Sequence, residues 1–503
     1  MKSIELKVKV LDISTEFPIV VLHENIIKKL EIEHLNRVLL KTSSLDKVCI
    51  VDSSVSYIEP DVIGVFKNTA DELNLKDSEI VEIQTTSLPK SIDYINKKVK
   101  NKTLTKEEIK SIVEDTNNNL LSETELSSFI TSVYINSLNL EETINLCDAF
   151  VNIGDKIDFD EPVILDKHSI GGINGRVSMI LSPIISSLGY KIPKTASRSI
   201  TSAAGTADVM EVLAPVTFNV SEIKELIKKV HGIVVWEGKF DLCPVDNTFI
   251  KIEHALNINP EGIMIASILS KKKSMGITHL VIDIPVGRQV KVKDKENGER
   301  LAKKFVEIGK SLGIKIKALL TDGENPSGDA FGPALEAKEA LEILEGKYFS
   351  NLAEKACVLS GELLSLVNDY DYKKGYELAK EQITSGKALE KFKEIIKAQG
   401  GNTFKSEDIT LGKYKLEITE NKEGGKIIDF NVHTLTEVTR IAGAPYDKGA
   451  GLKVIVKLGQ VVKTGDTLFE VYSDSEDKLS FVKDYLENHS ALSYDDVLIE
   501  AVE

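Results

Sequence analysis

The chain has 503 residues and a net charge of −15 spread along its length. A polypeptide this long outgrows one hydrophobic core, so about three domains are expected, and the diffuse negative charge excludes non-specific attraction to nucleic-acid phosphates. The composition, 42% hydrophobic and 28% charged, is that of a folded soluble protein, and no stretch approaches the roughly 20 apolar residues of a membrane helix.

The first residues, MKSIELKVKV, lack the apolar block and small-residue cleavage site of a signal peptide, which points to the cytoplasm. Cys49, Cys147, Cys243 and Cys357 lie far apart with no CxxC pair. That spacing argues against a zinc site or a disulfide framework, and no metal or other cofactor is expected.

Taken in chain order, the pattern predicts an α/β multidomain protein. Residues 1–85 read as a β-rich N-terminal domain: Ile4, Leu6, Val8 and Val10 alternate with polar neighbours, and FPIVVLHE and VCIVDSSVSYIEP follow. Residues 86–160 read as a helical bundle segment with three capping-box signals, Thr105 with Glu108, Ser122 with Glu125 and Asn139 with Glu142. Leu126, Phe129, Ile130, Val133, Tyr134 and Leu138 fall at helical spacing and predict one packed apolar face.

Between 161 and 400, short apolar runs (PVILD, GIVVW, HLVIDIP, IKIKALLT) alternate with helical stretches. This predicts a mostly parallel α/β domain with ligand loops at the carboxyl ends of its strands, part of 250–275 joining the helical segment. Residues 401–503 return to β pattern and predict a small C-terminal β-rich domain.

Three segments carry chemistry. The first, Asp166 to Ser178 (DKHSIGGINGRVS), follows an apolar run. Its glycines let backbone amides approach an oxyanion, Lys167 supplies a cation, and Ser169 and Ser178 add hydroxyls near a helix start. A structural glycine turn with a solvated lysine explains the same composition equally well. The second, Lys194 to Glu211 (KTASRSITSAAGTADVME), sets six hydroxyl residues, one arginine and a glycine before or into a helix, an arrangement suited to a small anionic or sugar ligand. In the third, NINPEGIMIASILSKKK, Ser267 and Lys271 are four residues apart and share a face if the segment is helical, while the triple lysine reads as a solvated face.

The run SRSITSAAGTADVME resembles the signature segment of the thymidine and pyrimidine-nucleoside phosphorylases, and is most similar to the archaeal-type AMP phosphorylases. KHSIGG, IPKT, NPEG, ASILSKK, IDIPVGR, GPALEA and AGAPYDKGAG support it from about 90 to 470, and the β-rich N-terminal extension resembles the long AMP-phosphorylase type. The resemblance implies a phosphorolytic pentosyltransferase that takes inorganic phosphate as a substrate and closes its domains around the ligands by hinge motion. It also implies a homodimer or larger homo-oligomer, without nucleic-acid or membrane partners.

Carried over position by position, it implies phosphate binding by Lys167, Ser169, Ser178 and Thr206. Nucleotide contacts fall to Gly172, Ser197, Arg198, Ser199, Ile200, Thr201, Ser202, Thr206, Ser267 and Lys291, with Lys271 near the base. Asn259 stands where the family carries an aspartate as presumed proton donor. His168 is the only histidine in these motifs and is either an acid or a hydrogen-bonded structural imidazole.

Two further departures are that Ala196 replaces a serine usual in the family, and that the loop after Gly172 is one residue shorter than in AMP phosphorylases. Phosphorolysis of a nucleoside 5′-monophosphate, AMP first and then CMP or UMP, to free base and ribose 1,5-bisphosphate is the leading expectation. A pyrimidine-nucleoside phosphorylase acting on thymidine or uridine is the nearest alternative. A catalytically impaired nucleotide-binding relative is a third, motivated by Asn259 and Ala196.

Overall fold

The structure is a computed structural model that describes all residues except 1, 16, 43–44, 172–175, 200–201, 240–241, 369, 422–423 and 496–503. It divides into two compact units, residues 1–154 with 243–270, and residues 155–242 with 271–503.

The first unit opens with a closed six-stranded barrel, in spatial order Ser3–Leu11, Val62–Phe66, Ile19–His23, Lys47–Ser54, Arg37–Lys41 and Ile80–Thr85. The alternation in the sequence produces it: Leu6 and Val8 turn into the core with Ile4 and Val10 packed against it, while Glu5, Lys7 and Lys9 face water. Two short helices that the strand pattern does not announce, Glu24–Leu30 and Lys67–Glu72, also belong to it.

Four helices follow, Ser91–Val99, Lys106–Asn117, Glu123–Asn136 and Leu140–Ile153. All three capping boxes are formed. On the third helix Leu126, Phe129, Ile130 and Val133 are buried, but Tyr134 is 53% exposed, so the apolar face is narrower than the spacing implies. The helix Pro244–Leu256 joins this unit through Phe249, whose ring lies 5.9 Å from Phe129 and 5.8 Å from Phe150.

A buried ion pair, Lys98 with Glu142 at 2.9 Å, ties the first helix of the bundle to the fourth. Arg37 of the barrel donates Nε–H to the Leu120 carbonyl at 2.6 Å and pairs with Glu125 of the bundle.

The second unit is built on parallel strands. Lys315–Asp322, His279–Val286 and Leu165–Ser169 form one sheet, Ile192–Ala196 and Gly232–Trp236 another, and a parallel bridge between Ile164 and Lys191 links the two. Continuous burial along His279–Val286 and Ile192–Ala196 matches their unalternating sequences, as in sheets covered on both faces. Strand order reverses between Leu165–Ser169 and His279–Val286, and a ligand site is expected outside the carboxyl ends of strands at such a point.

C-terminal to this sheet, strands Ala330–Phe331, Gly451–Val454, Thr467–Ser473 and Tyr414–Thr419 form an antiparallel sheet, and Lys426–Phe430 pairs with Leu492–Asp495. Helices Val432–Ile441 and Glu476–Asn488 complete the region. The sequence pattern predicts a β-rich domain here and does not announce these helices; VHTLTEVTRI is itself rich in β-branched residues. An Asn431 cap and burial of Leu435 and Val438 override that propensity.

Candidate active site

The strand Leu165–Ser169 carries the first chemical segment, so Lys167, His168 and Ser169 sit on a strand end and not in the loop after it. Successive strand side chains point to opposite faces, and each face meets one buried carboxylate.

On one face, Asp283 of the neighbouring strand receives Ser169 Oγ–H at 2.8 Å and Thr321 Oγ–H at 2.6 Å. Lys167 and Lys355 lie 3.5 and 3.3 Å from the same carboxylate. On the other face, Asp166 is fully buried and pairs with Lys272 at 2.6 Å and Lys194 at 3.4 Å. Lys194 also donates to the Lys167 carbonyl at 2.9 Å, and Lys272 to Thr195 Oγ at 3.1 Å. Two carboxylates therefore face four ammonium groups, while Lys271 is balanced by Glu237 at 3.2 Å. The surplus positive charge, held in low dielectric, has the sign that an oxyanion would neutralise.

Burial opposes this charge and shifts its titration. Desolvation lowers the Lys194 pKa to about 7 and also lowers that of Lys167, against the pull of their carboxylates. His168 is held well below 6.5 by burial and by Lys272, Lys194, Lys167 and Lys271. The imidazole is neutral near pH 7: it can donate or accept a hydrogen bond, but it is not a standing acid, which favours the structural reading of this residue.

Lys194 yields an expected result. Sulfate keeps one charge state across this range and favours the protonated lysine, so its affinity is expected to fall as pH rises from 6 to 9, by up to tenfold for each pKa unit that sulfate shifts Lys194. Titration calorimetry checks this, and Lys194→Met flattens the profile.

The second segment folds on itself. Gly205 caps the short helix Thr206–Met210, which places Thr206 at its first turn. Asp208 accepts from the Ser199 and Gly205 amides at 2.8 and 2.9 Å. Ser199 Oγ bonds within the loop to Ser202, and Ser202 Oγ donates to the Ala204 carbonyl at 3.0 Å. Arg198 is gripped end-on by Glu211 (2.7 and 2.6 Å), touches Asp208 at 3.1 Å and lies 4.8 Å over the Trp236 ring. These Arg198 hydrogen bonds, with help from Lys448, hold the Glu211 carboxyl down to about 2.

The guanidinium is thus shared with two acids, and among the described residues its Nε–H meets no acceptor. Lys448 reaches Glu211, and Arg440 donates to the Ser202 carbonyl at 3.1 Å, so the C-terminal region braces the loop. Ser197 is exposed, Ser178 is buried in the first turn of Val177–Ser187, and Ala196 is buried at its strand end. Gly171 has φ +65°, and a Cβ there would lie 2.7 Å from Lys291 Cγ, so Lys291 lies along this turn. Gly172, Ile200 and Thr201 lie outside the described residues.

The third segment is helical, Glu261–Ser274. Ser267 donates to Asp246 at 2.7 Å, and Asn259 is exposed just before the helix. The triple lysine is not a uniform solvated face, because Lys272 is buried on Asp166 and only Lys273 is open. Lys355, Glu237 and Asp246 lie outside every segment that the sequence singles out, and Asp283, Lys272, Glu211 and Lys448 fall inside quoted motifs without a role assigned to them there. Only proximity in the fold marks them, apart from the unusual placing of charged residues inside apolar strands.

A family model for the helical bundle domain of the glycosyl transferase family matches residues 92–154, and the family's a/b domain model matches 161–389. A pyrimidine nucleoside phosphorylase C-terminal domain matches 427–493. Anthranilate phosphoribosyltransferase from Thermus thermophilus superposes with a TM-score of 0.53 at 16% identity, over 61% of this chain and 99% of that one, which shows the shared fold. Fold and site define a pentosyltransferase.

The AMP phosphorylase of Methanospirillum hungatei is 40% identical over 479 residues, covering 94% of this chain and 92% of the relative. That of Thermococcus sibiricus is 43% identical over 477 residues, covering 94% of each. The chain belongs to the AMP phosphorylase family.

Proposed function

We propose that the protein cleaves the N-glycosidic bond of AMP with inorganic phosphate, giving adenine and ribose 1,5-bisphosphate. The observation that carries this reading is the pair of buried Asp–Lys–Lys clusters on the two faces of one strand end, whose surplus charge suits phosphate. A phosphate oxygen attacks the anomeric carbon as the C–N bond breaks, and the base leaves with the bonding electron pair. The sugar becomes cation-like in between, so alignment of the nucleophile and neutralisation of the base are the two tasks.

In this reading Lys167, Ser169, Ser178 and Thr206 hold the attacking phosphate. The open edge of Arg198, with Ser197, Ser199 and Ser202, receives the 5′-phosphate, while Ser267 and Lys271 meet the base. Asn259 supplies a hydrogen bond to the leaving base, since an amide has no proton to give at neutral pH. The enzyme acts in the cytoplasm as a homodimer or larger homo-oligomer, without a metal or other cofactor.

A second reading, a pyrimidine-nucleoside phosphorylase, is favoured by the match of the C-terminal domain. Base release from AMP, CMP, UMP, thymidine and uridine, with and without phosphate, separates the two. Phosphate-dependent release from AMP is expected; strict phosphate dependence with activity on no monophosphate overturns the AMP reading.

A further inference from the structure

Asp246 is the third residue of the helix Pro244–Leu256 and has no solvent exposure. Its carboxylate lies 2.7 Å from Ser267 Oγ on the helix Glu261–Ser274. A carboxylate only accepts, so the serine hydroxyl proton is committed to Asp246, and the oxygen that remains offers lone pairs alone. The geometry is rigid on the acid's side, because Phe249, one turn further along, is locked between Phe129 and Phe150.

We propose that Asp246 is a positioning residue that fixes Ser267 as a hydrogen-bond acceptor, so that the protein selects bases presenting an N–H donor at that point. The inference rests on the reading that Ser267 meets the base. Adenine has one such group on its six-membered ring, the exocyclic amine, because its ring nitrogens there only accept. The N3–H of a uracil ring is the equivalent donor, whereas a base with only acceptors or C–H at that position leaves the Ser267 lone pair unsatisfied.

The test uses the full chain without phosphate and compares the affinity of AMP with that of purine riboside 5′-monophosphate, which lacks the amine, by titration calorimetry. A preference for AMP of at least about tenfold is expected. In Asp246→Asn the new amide donates to Ser267 and frees the hydroxyl proton to meet an acceptor, so the preference shrinks below about threefold. Ser267→Ala removes the preference with Asp246 intact, and decides the matter should the Asp246 variant fail to fold by circular dichroism.

Equal affinities in the parent overturn the proposal. So does an Asp246→Asn variant, or a Ser267→Ala variant, that weakens both ligands equally and keeps the preference. If the chain binds no monophosphate and acts on uridine, the AMP reading alone fails, and uridine against 3-methyluridine puts the same question to Asp246.

Discussion

Lys167→Met is expected to lower kcat/KM for phosphate about 10²- to 10³-fold, the usual loss when one preorganised donor to a developing or attacking anion is removed. The expectation follows from the two strand faces. Lys167 is one of four ammonium groups at the strand end, and its partner Asp283 keeps Lys355, Thr321 and Ser169 when it goes. No buried carboxylate is orphaned, so the melting temperature changes little and the defect shows in turnover. A phosphate-concentration series with a parallel melting curve checks both halves; a large fall in stability, or an unchanged kcat/KM, removes Lys167 from the phosphate site.

Gly205→Ala is expected to cost about 10²-fold in kcat/KM for AMP. A Cβ at this position would lie 2.5 Å from the Ser197 carbonyl oxygen, 2.6 Å from the Arg198 carbonyl carbon and 2.6 Å from the Ser199 nitrogen. All three are backbone atoms, so relief requires the Ser197–Ser202 loop to move, and displacements of about 1 Å at a positioning element cost on that order. Asp208 holds both sides of the contact, through the Ser199 and Gly205 amides, which transmits the displacement to the cap of the helix bearing Thr206. Steady-state kinetics with AMP varied at saturating phosphate measures the loss; kinetics like the parent's would mean that the loop does not position the nucleotide.

Much of the architecture is legible in advance because its causes are local. HLVIDIPV is buried on both faces and looks it, and each capping box is a local motif whose two partners stand three residues apart. The region Val432–Ile441 misleads because a β-branched sequence is recruited to a helix by a core that forms only in the folded chain.

The site divides the same way. Lys167 and Ser169 are visible by type and spacing, whereas Asp166 finds Lys272 across 106 positions and Asp283 finds Ser169 across 114. No periodicity reports such pairs, and the triple lysine at 271–273 conceals that its middle member points inward. Arg198 shows the converse: the sequence offers a bare cation, while the fold has already paired it with Glu211 and Asp208.

The Arg37 contacts give the N-terminal barrel a stake in the bundle beyond adjacency. Arg37 is almost wholly enclosed, and its guanidinium serves both a carbonyl just ahead of one helix and the acid of that helix's own cap. A shortened chain beginning at residue 86 would open the Leu120 carbonyl to water and leave Glu125 with its Ser122 partner but without its cation.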